Sequence, residues 1–203
     1  MKINKKRKKF IYLISPNCIK KKFYKDLKNI LRSNLVSFFQ LRLKKYSFNK
    51  KKIIGIKEKK LCKKYKVKLI VNDNPELALD INADGCHLGQ KDMDIKLARS
   101  ILKKKIIGVT CHNSKKLISE AYKKQADYIA IGAFYKSKTK KVKYYANPSL
   151  IKWAKNNVKC PIVAIGGISS KNYKKLLLHK ADFLAISGYI WKKNPSKTIK
   201  EFL

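Results

Sequence analysis

The sequence predicts one α/β domain folded as a (β/α)8 barrel, the architecture also called a TIM barrel. The length of 203 residues suggests one domain, or at most two small ones. Eight short apolar runs recur along the chain, and stretches with helical character lie between them without a linker or an internal repeat. Strands that alternate with helices in this way indicate a parallel barrel, although that fold commonly has about 250 residues. An open doubly wound sheet is the architectural alternative.

Each predicted strand is a short run of apolar and β-branched residues, as expected for strands buried on both faces of a parallel sheet. The strands are predicted at 10–14, 36–41, 67–71, 85–88, 106–109, 128–131, 162–165 and 183–186. Helical stretches are predicted between them, for example at 19–32, 95–102, 117–124 and 173–179. Asn74 followed by Pro75 is typical of a helix start, and Ser169 or Ser170 is expected to cap the helix at 173–179.

The N-terminal residues 1–9 are expected to form a basic tail within one domain that spans 1–203. The apolar stretch at 10–14 is too short for the hydrophobic region of a signal peptide. No apolar run approaches the roughly 18 residues that cross a bilayer, so no membrane partner is expected. Five cysteines without a C-x-x-C pair indicate reduced thiols, and therefore a cytoplasmic protein.

The chain is strongly basic, with 51 lysines and arginines against 12 acidic residues and a formal net charge of +39. Such a charge suggests nucleic acid or an anionic membrane as a partner. However, only four of the basic residues are arginine, and the lysines occur throughout the chain, as compositional drift on solvated faces would produce. We therefore expect no specific nucleic acid partner. A basic nucleic-acid-binding protein stays as the alternative, for which Tyr144 and Tyr145 are the only local aromatic pair among lysines.

Half of the acidic residues lie within 22 positions, which is unusual in so basic a chain. They are Asp73, Glu76, Asp80, Asp84, Asp92 and Asp94. Asp73 and Asp92 follow two different predicted strands. Hard oxygen ligands without a histidine or cysteine set suit Mg²⁺, which takes one or two carboxylates together with substrate phosphates. We expect Asp73 and Asp92 to hold Mg²⁺; the alternative is that both carboxylates pair with lysines.

Polar residues collect where the predicted strands end, which is where barrels and doubly wound sheets place their functional sites. Gln40, Arg42 and Lys44 share one face by the two-residue period of a strand. An arginine fork binds phosphate oxygens with two hydrogen bonds, whereas lysine acts as a point charge. The Gly166-Gly167 turn lies between a strand and a helix, a position in which barrels often bind phosphate. These features predict a site for a diphosphate.

The segment 132–147 has no helix or strand pattern and is longer than most barrel loops, so we predict a lid. It contains the stretch Ser137-Lys138-Thr139-Lys140. His87 and His112 lie near strand ends, where either is a candidate general base or a hydrogen-bonded structural histidine.

In order along the chain, six short motifs resemble the thiamine phosphate synthase family, and the match covers residues 10–191. The motifs are QLRLK at 40–44, ND at 72–73, ADGCHLGQKD at 83–92, GVTCHN at 108–113, DYIAIGAFYKSKTK at 127–140 and PIVAIGGIS at 161–169. The resemblance implies a β/α barrel that couples an aminopyrimidine hydroxymethyl diphosphate to hydroxyethylthiazole phosphate. The expected products are thiamine phosphate and diphosphate, formed after the pyrimidine–diphosphate bond has ionised.

The resemblance also implies roles for individual residues. Asp73 and Asp92 match the magnesium ligands of the family. The residues that match its pyrimidine-diphosphate contacts are Gln40, Arg42, Lys44, Asn72, Thr110 and Lys140. Those that match groups around the thiazole phosphate are Ser137, Thr139, Gly167, Ser187 and Gly188. Arg42, Lys44 and Lys140 are the expected catalytic cations, because they would offset the charge of the leaving diphosphate.

A related barrel, the thiazole tautomerase, is the nearest alternative to this function. It would need a base near the thiazole but not the groups that bind diphosphate. The GQKD and SKTK motifs favour the synthase. Small-molecule substrates are the expected partners, and a homo-oligomer is left open.

Overall fold

A computed structural model describes residues 9–137, 142–192 and 194–203, and it confirms the closed parallel barrel. Each strand pairs in parallel with the next one in sequence, and the first pairs with the last to close the sheet. The strands are β1 Ile11–Ile14, β2 Val36–Leu41, β3 Lys68–Asn72, β4 Gly85–Leu88, β5 Ile106–His112, β6 Tyr128–Gly132, β7 Ile162–Ile165 and β8 Phe183–Ile186. Four of the eight have the predicted bounds, and the alternative of an open doubly wound sheet is wrong.

The helices of the described residues alternate with the strands, with two short ones added at the C-terminus. They are α1 Phe23–Leu31, α2 Phe48–Lys64, α3 Pro75–Asp80, α4 Ile95–Leu102, α5 Lys115–Lys123, α6 Ser149–Asn157, α7 Tyr173–Leu178, α8 Gly188–Trp191, α9 Pro195–Thr198 and the 3-10 helix η1 Ile199–Phe202. Asn74 caps α3 as predicted, since its Oδ1 accepts the Leu77 N–H at 2.6 Å. The predicted cap of α7 is wrong: Asn172 holds that position, and its Oδ1 accepts the Ser169 N–H at 2.8 Å.

The interior of the barrel is filled by side chains that alternate along the strands. Seven buried residues form this cluster: Tyr12, Ile14, Ile70, Tyr128, Ala130, Val163 and Ala185. The larger part of the core lies outside the barrel, between the strands and the helices. The interior is therefore a packed layer that supports the mouth of the barrel from below.

Gly108 makes room for Tyr128, one of the two tyrosines of this interior. A Cβ atom at position 108 would lie 1.8 Å from the Cζ atom of Tyr128, closer than any real contact. The Tyr128 ring thus occupies the space that a side chain on β5 would need. Only glycine at position 108 permits this tyrosine to stand in the centre of the barrel.

Three aspartates tie the strands together at the N-terminal end of the barrel, and we refer to them as the carboxylate clamps. Asp84, Asp127 and Asp182 stand directly before β4, β6 and β8, and each follows an alanine. Each Oδ2 accepts a backbone N–H of the preceding strand at 2.7–2.8 Å, from Leu69, Ile107 and Ile162 respectively. One carboxylate therefore links two neighbouring strands in each clamp.

A cation from the preceding outer helix completes each clamp. Lys59 of α2, Arg99 of α4 and Lys155 of α6 lie 2.7, 2.6 and 2.9 Å from their aspartates. Helix and strands are thus joined at one point. These contacts lie at the end of the barrel that is remote from the predicted mouth.

Glu58 of α2 is a fully buried carboxyl group, with 0% of its surface exposed. Neither of its oxygens makes a hydrogen bond within the described part of the chain. Burial raises the pKa of Glu58 well above its usual range. The charge of an ionised Glu58 would in turn raise the pKa values of Tyr24 and Cys62. A carboxyl group without a partner is costly to ionise in such surroundings.

We expect Glu58 to make the protein less stable as pH rises. The folded state retains the Glu58 proton to a higher pH than the unfolded chain does. The contribution of this proton to the free energy of unfolding is therefore full below the unfolded pKa of about 4.3 and declines as pH rises toward the folded pKa. Glu58→Gln should therefore gain stability over the parent protein as pH increases from 5 to 8. Urea unfolding at several pH values measures this difference. A constant difference across that range would contradict the expectation.

No helix of residues 9–137, 142–192 and 194–203 combines the length and the hydropathy needed to cross a bilayer. All five cysteines are unpaired thiols, and three of them are buried.

Candidate functional site

The end of β2 brings Gln40, Arg42 and Lys44 to the mouth of the barrel. Gln40 is buried, with 3% of its surface exposed, whereas Arg42 is half-buried and Lys44 is exposed. The Arg42 backbone N–H donates to Ser15 Oγ at 2.9 Å, and its Nη1 donates to Asn17 Oδ1 at 3.2 Å. The chain after β1 thus holds both the backbone and the guanidinium of Arg42.

Asp73 and Asp92 meet at this mouth from the loops after β3 and β4. The Asp73 N–H donates to the backbone carbonyl of His87 at 2.8 Å, and Asp92 Oδ2 accepts the Gly89 N–H at 2.6 Å. Burial and the hydrogen-bonded carboxyl of Asp73 raise the pKa of Asp92. Lys44 Nζ lies 3.3 Å from Asp73 Oδ2. Two carboxyl groups in contact, with one lysine beside them, form an anionic pocket in a basic protein.

The other four acidic residues of the predicted cluster lie elsewhere. Asp84 belongs to a clamp at the opposite end of the barrel, and Asp80 and Asp94 form surface ion pairs with lysines. Glu76 is exposed in the first turn of α3. The cluster in space is therefore smaller than the cluster in the sequence, because only Asp73 and Asp92, at the ends of strands, come together.

The donor set of this pocket fits a hard divalent cation that shares its ligands with a substrate. No group of three or more histidine, cysteine or acidic side chains is placed to hold a metal within the described ranges. Two carboxylates alone match Mg²⁺, which keeps several water or phosphate ligands. A bound cation would also offset the repulsion from Asp73 that contributes to the raised pKa of Asp92.

A chain of hydrogen bonds runs beneath the mouth from β2 to β5. Gln40 Nε2 donates to the Tyr12 hydroxyl at 3.0 Å, and the hydroxyls of Tyr12 and Tyr128 lie 2.7 Å apart. His87 Nδ1 is 2.9 Å from the Tyr128 hydroxyl, and His87 Nε2 is 2.8 Å from Thr110 Oγ1. We call these five residues the buried polar chain. Its two ends, Gln40 and Thr110, are both predicted substrate contacts.

Both ring nitrogens of His87 are used in this chain, which favours the structural role over that of a general base. Burial lowers the pKa of His87 to about 4, so the imidazole is neutral near pH 7. His112 ends β5, and its ring lies 4.9 Å from that of Tyr144. The sequence did not point to Tyr12 and Tyr128, because each lies inside an apolar strand whose residues are typical of the hydrophobic core.

The loops after β7 and β8 lie side by side, since these strands pair. Gly167 has a φ of +65°, and a Cβ atom there would lie 2.4 Å from the backbone oxygen of Lys136. The glycine therefore allows the loop after β6 to pack onto it. Ser187 Oγ donates to the Ser15 carbonyl at 3.3 Å, and Gly188 begins α8. The predicted thiazole-phosphate residues outside the β6 loop are thus adjacent at the mouth.

Of the predicted lid at 132–147, Gly132 is the last residue of β6, and the other described residues, 133–137 and 142–147, form no helix or strand. Its two arms are joined, because the Ala133 N–H donates to the Tyr144 carbonyl at 3.0 Å and the Ala146 N–H donates to the Ala133 carbonyl at 2.9 Å. Asn113 Nδ2 donates to the Tyr145 carbonyl at 3.1 Å. Thr139 and Lys140 lie outside the described residues.

Comparison with known proteins gives one consistent result. A family model described as thiamine monophosphate synthase matches residues 11–190. A thiamine-phosphate synthase of Pelagibacter ubique (strain HTCC1062) is 60% identical over 201 residues, which cover 98% of this chain and 97% of that protein. One of Erythrobacter litoralis (strain HTCC2594) is 37% identical over 197 residues, which cover 95% of this chain and 92% of that protein.

Among solved structures, a thiamine phosphate pyrophosphorylase from Pyrococcus furiosus has the same architecture. It superposes with a TM-score of 0.86 at 27% identity, and the match covers 98% of this chain and 96% of that one. The similarity thus extends over the whole barrel.

Proposed function

Since this chain belongs to the thiamine monophosphate synthase family, we propose that its barrel mouth binds an aminopyrimidine diphosphate with Mg²⁺ held by Asp73 and Asp92. The activity is that of a thiamine-phosphate synthase, a transferase acting on small molecules. The observation that supports the metal proposal is the contact between two carboxyl groups at strand ends, beside Lys44.

The two carboxylates are proposed to bind the cation, which would neutralise charge on the diphosphate when bound. Lys44 lies against Asp73, so its ammonium is positioned to exchange this partner for a phosphate oxygen. Arg42 is held by Ser15 and Asn17, which prepares its fork for a second phosphate oxygen.

The reaction proposed for this site is dissociative. The C–O bond between the pyrimidine methylene and the diphosphate breaks, and its electron pair leaves with the diphosphate. The thiazole nitrogen then donates its lone pair to the pyrimidine methylene, which forms the new C–N bond. No protein nucleophile is needed, because the cations Arg42, Lys44 and Lys140 bind the charge that develops on the leaving group.

The pyrimidine is proposed to lie above the buried polar chain, in contact with Gln40, Asn72 and Thr110. Asn72 ends β3, next to His87 of β4 in the sheet register. The thiazole phosphate is assigned to the loops after β6, β7 and β8. The residues proposed to surround it are Ser137, Thr139, Gly167, Ser187 and Gly188.

The direct test of the metal proposal is incubation of the purified protein with both substrates, with Mg²⁺ or with a chelator. Formation of thiamine phosphate only in the presence of Mg²⁺ is the expected result. Equal formation in chelator would refute the metal proposal without affecting the family assignment.

Lys140 should contribute more to turnover than Lys138 and Lys141, although all three residues lie outside the described ranges. Lys138→Ala, Lys140→Ala and Lys141→Ala each remove one charge from the same segment. A direct contact with diphosphate predicts that Lys140→Ala alone loses turnover by at least an order of magnitude. Single-turnover coupling at two ionic strengths measures this, because a general field is screened beyond about 8–10 Å. Three equal, salt-sensitive losses would contradict the assignment of Lys140 and favour a steering or nucleic-acid role for the basic surface.

The cytoplasm is the proposed location, which the five unpaired cysteines support. The thiazole tautomerase alternative is disfavoured by the groups proposed to bind diphosphate.

A further inference from the structure

We propose that the buried polar chain is a positioning network that makes Gln40 and Thr110 present opposite hydrogen-bonding groups to the aminopyrimidine. Gln40 presents an acceptor and Thr110 presents a donor, and the three residues between them enforce this difference. The inference rests on the proposed placement of the pyrimidine above the chain. It assigns a specificity role to Tyr12, Tyr128 and His87, which do not themselves contact the substrate.

The inner members of the chain are removed from solvent. Tyr12 is 1% exposed, Tyr128 is 2% exposed and His87 is 7% exposed. Polar groups at such depth must find partners within the protein, since an unpaired one costs far more than a hydrogen bond gains. The protons of the chain are therefore arranged so that every inner donor meets an acceptor.

The direction in which hydrogen bonds are donated along the buried polar chain follows from assigning each of these protons to one partner. Gln40 Nε2 carries only donors, so it donates to the Tyr12 oxygen. The Tyr12 proton then points to its other hydrogen-bond partner within the described residues, the Tyr128 oxygen. The Tyr128 proton in turn points to His87 Nδ1. A neutral imidazole that accepts at Nδ1 carries its proton on Nε2, and so donates to Thr110 Oγ1.

The consequence appears at the two ends of the chain. Gln40 has committed an N–H group to Tyr12, which leaves its Oε1 as the acceptor for a substrate amino group. Thr110 accepts from His87, which leaves its own hydroxyl proton for a ring nitrogen of the substrate. If the Gln40 amide turned over, every proton in the chain would reverse and Thr110 would lose its free donor. The two ends are therefore coupled across the barrel.

An aminopyrimidine fits this pattern because it carries an amino donor next to a ring-nitrogen acceptor. A pyrimidine with an oxo group in place of the amino group carries the reverse pattern. Both would bind with similar shape, so only the polarity of the hydrogen bonds distinguishes them. Sites that hydrogen-bond a substrate group reject analogues far better than apolar pockets do.

The first test reads the tautomer of His87 directly. Nitrogen-15 NMR distinguishes the two neutral forms of imidazole, and the chain has three histidines, so His87→Gln assigns the signal. The ligand-free wild-type protein is expected to show the Nε2–H form. The Nδ1–H form would overturn the proposed polarity, and this result does not depend on enzyme activity or on any variant in the chain being active.

The second test uses Tyr128→Phe, which keeps the ring but removes the central hydroxyl. We expect the kcat/KM for the aminopyrimidine diphosphate to fall about tenfold, the size of one lost hydrogen bond, with the KM for the thiazole phosphate unchanged. The preference for the amino substrate over its 4-oxo analogue should also fall about tenfold, because Gln40 and Thr110 are no longer coupled. Tyr24→Phe removes the same group from α1, outside the barrel, and serves as the control.

The outcomes separate this inference from the proposed function. A wild-type protein that couples neither pyrimidine would contradict the proposed function. Normal coupling with an unchanged amino-to-oxo preference in Tyr128→Phe would overturn the inference alone. If Tyr128→Phe does not fold, Tyr12→Phe interrupts the same chain one link earlier and is expected to reduce the same preference.

Discussion

Replacing Asp92 by asparagine is expected to lower the turnover of coupling by on the order of 10²–10³-fold while the protein stays folded. The substitution keeps the shape of the side chain but removes one of the two carboxylates that meet at the mouth. It also removes repulsion between them, so no loss of thermal stability is expected. The remaining Asp73 should bind Mg²⁺ more weakly, and the concentration of Mg²⁺ needed for half-maximal turnover should rise.

Glu76→Gln is the matched control for this variant. It removes the same charge three residues after Asp73, from an exposed position in the first turn of α3. Turnover is measured for both variants over a series of Mg²⁺ concentrations. An Asp92→Asn protein with the turnover and the metal dependence of the Glu76→Gln control would contradict the proposed ligand role.

The largest effect on stability is expected from Gly108→Ala. The new methyl group would lie 1.8 Å from Tyr128 Cζ, so either the ring or strand β5 must move. Overpacking of a dense core typically costs about 1–3 kcal/mol, and this contact is more severe than most. We expect a loss of at least about 3 kcal/mol in the free energy of unfolding.

Two further variants test this reason for the loss. Gly55→Ala adds the same methyl group on α2, where the nearest atom, at 2.5 Å, is the flexible end of the Ile81 side chain. It should change stability by less than about 1 kcal/mol, because alanine also favours the helix. Gly108→Ala combined with Tyr128→Leu should recover part of the lost stability. Denaturant unfolding of the three proteins provides the comparison, and equal losses for Gly108→Ala and Gly55→Ala would show that crowding at Tyr128 is not the cause.

The barrel could be predicted because its strands are apolar on both faces, and such runs stand out in a chain rich in lysine. The residues at the strand ends could be predicted as well, because each of them directly follows one of these apolar runs. Arg42 and Asp73, for example, directly follow β2 and β3, whereas the contacts that hold them, to Ser15, Asn17 and His87, come from other parts of the chain. Ser169 was predicted as a helix cap from its residue type alone, but Asn172 binds its N–H group and takes the capping position.

The buried polar chain could not be predicted from the sequence, because it depends on which strands face each other across the barrel. Tyr12 and Tyr128 are 116 positions apart, and each has the apolar neighbours of a core residue. Gly108 gives a weak signal, since a glycine inside a strand often marks a close approach. Asp84 belongs to the same acidic cluster in the sequence as Asp73 and Asp92, yet it lies at the other end of the barrel.

The clamps also show how lysine and arginine differ in what they can hold. Two of the three clamps use lysine, since a carboxylate that already holds a backbone N–H needs only a point charge from the helix. Arg99 does more, because its guanidinium donates to the carbonyls of Lys103, Lys105 and Gln125 as well as to Asp127. A lysine has no geometry for four such partners. In a chain with only four arginines, Arg99 thus fills a role that lysine could not, and Arg42 at the mouth is likewise held at both its backbone and its guanidinium, by Ser15 and Asn17.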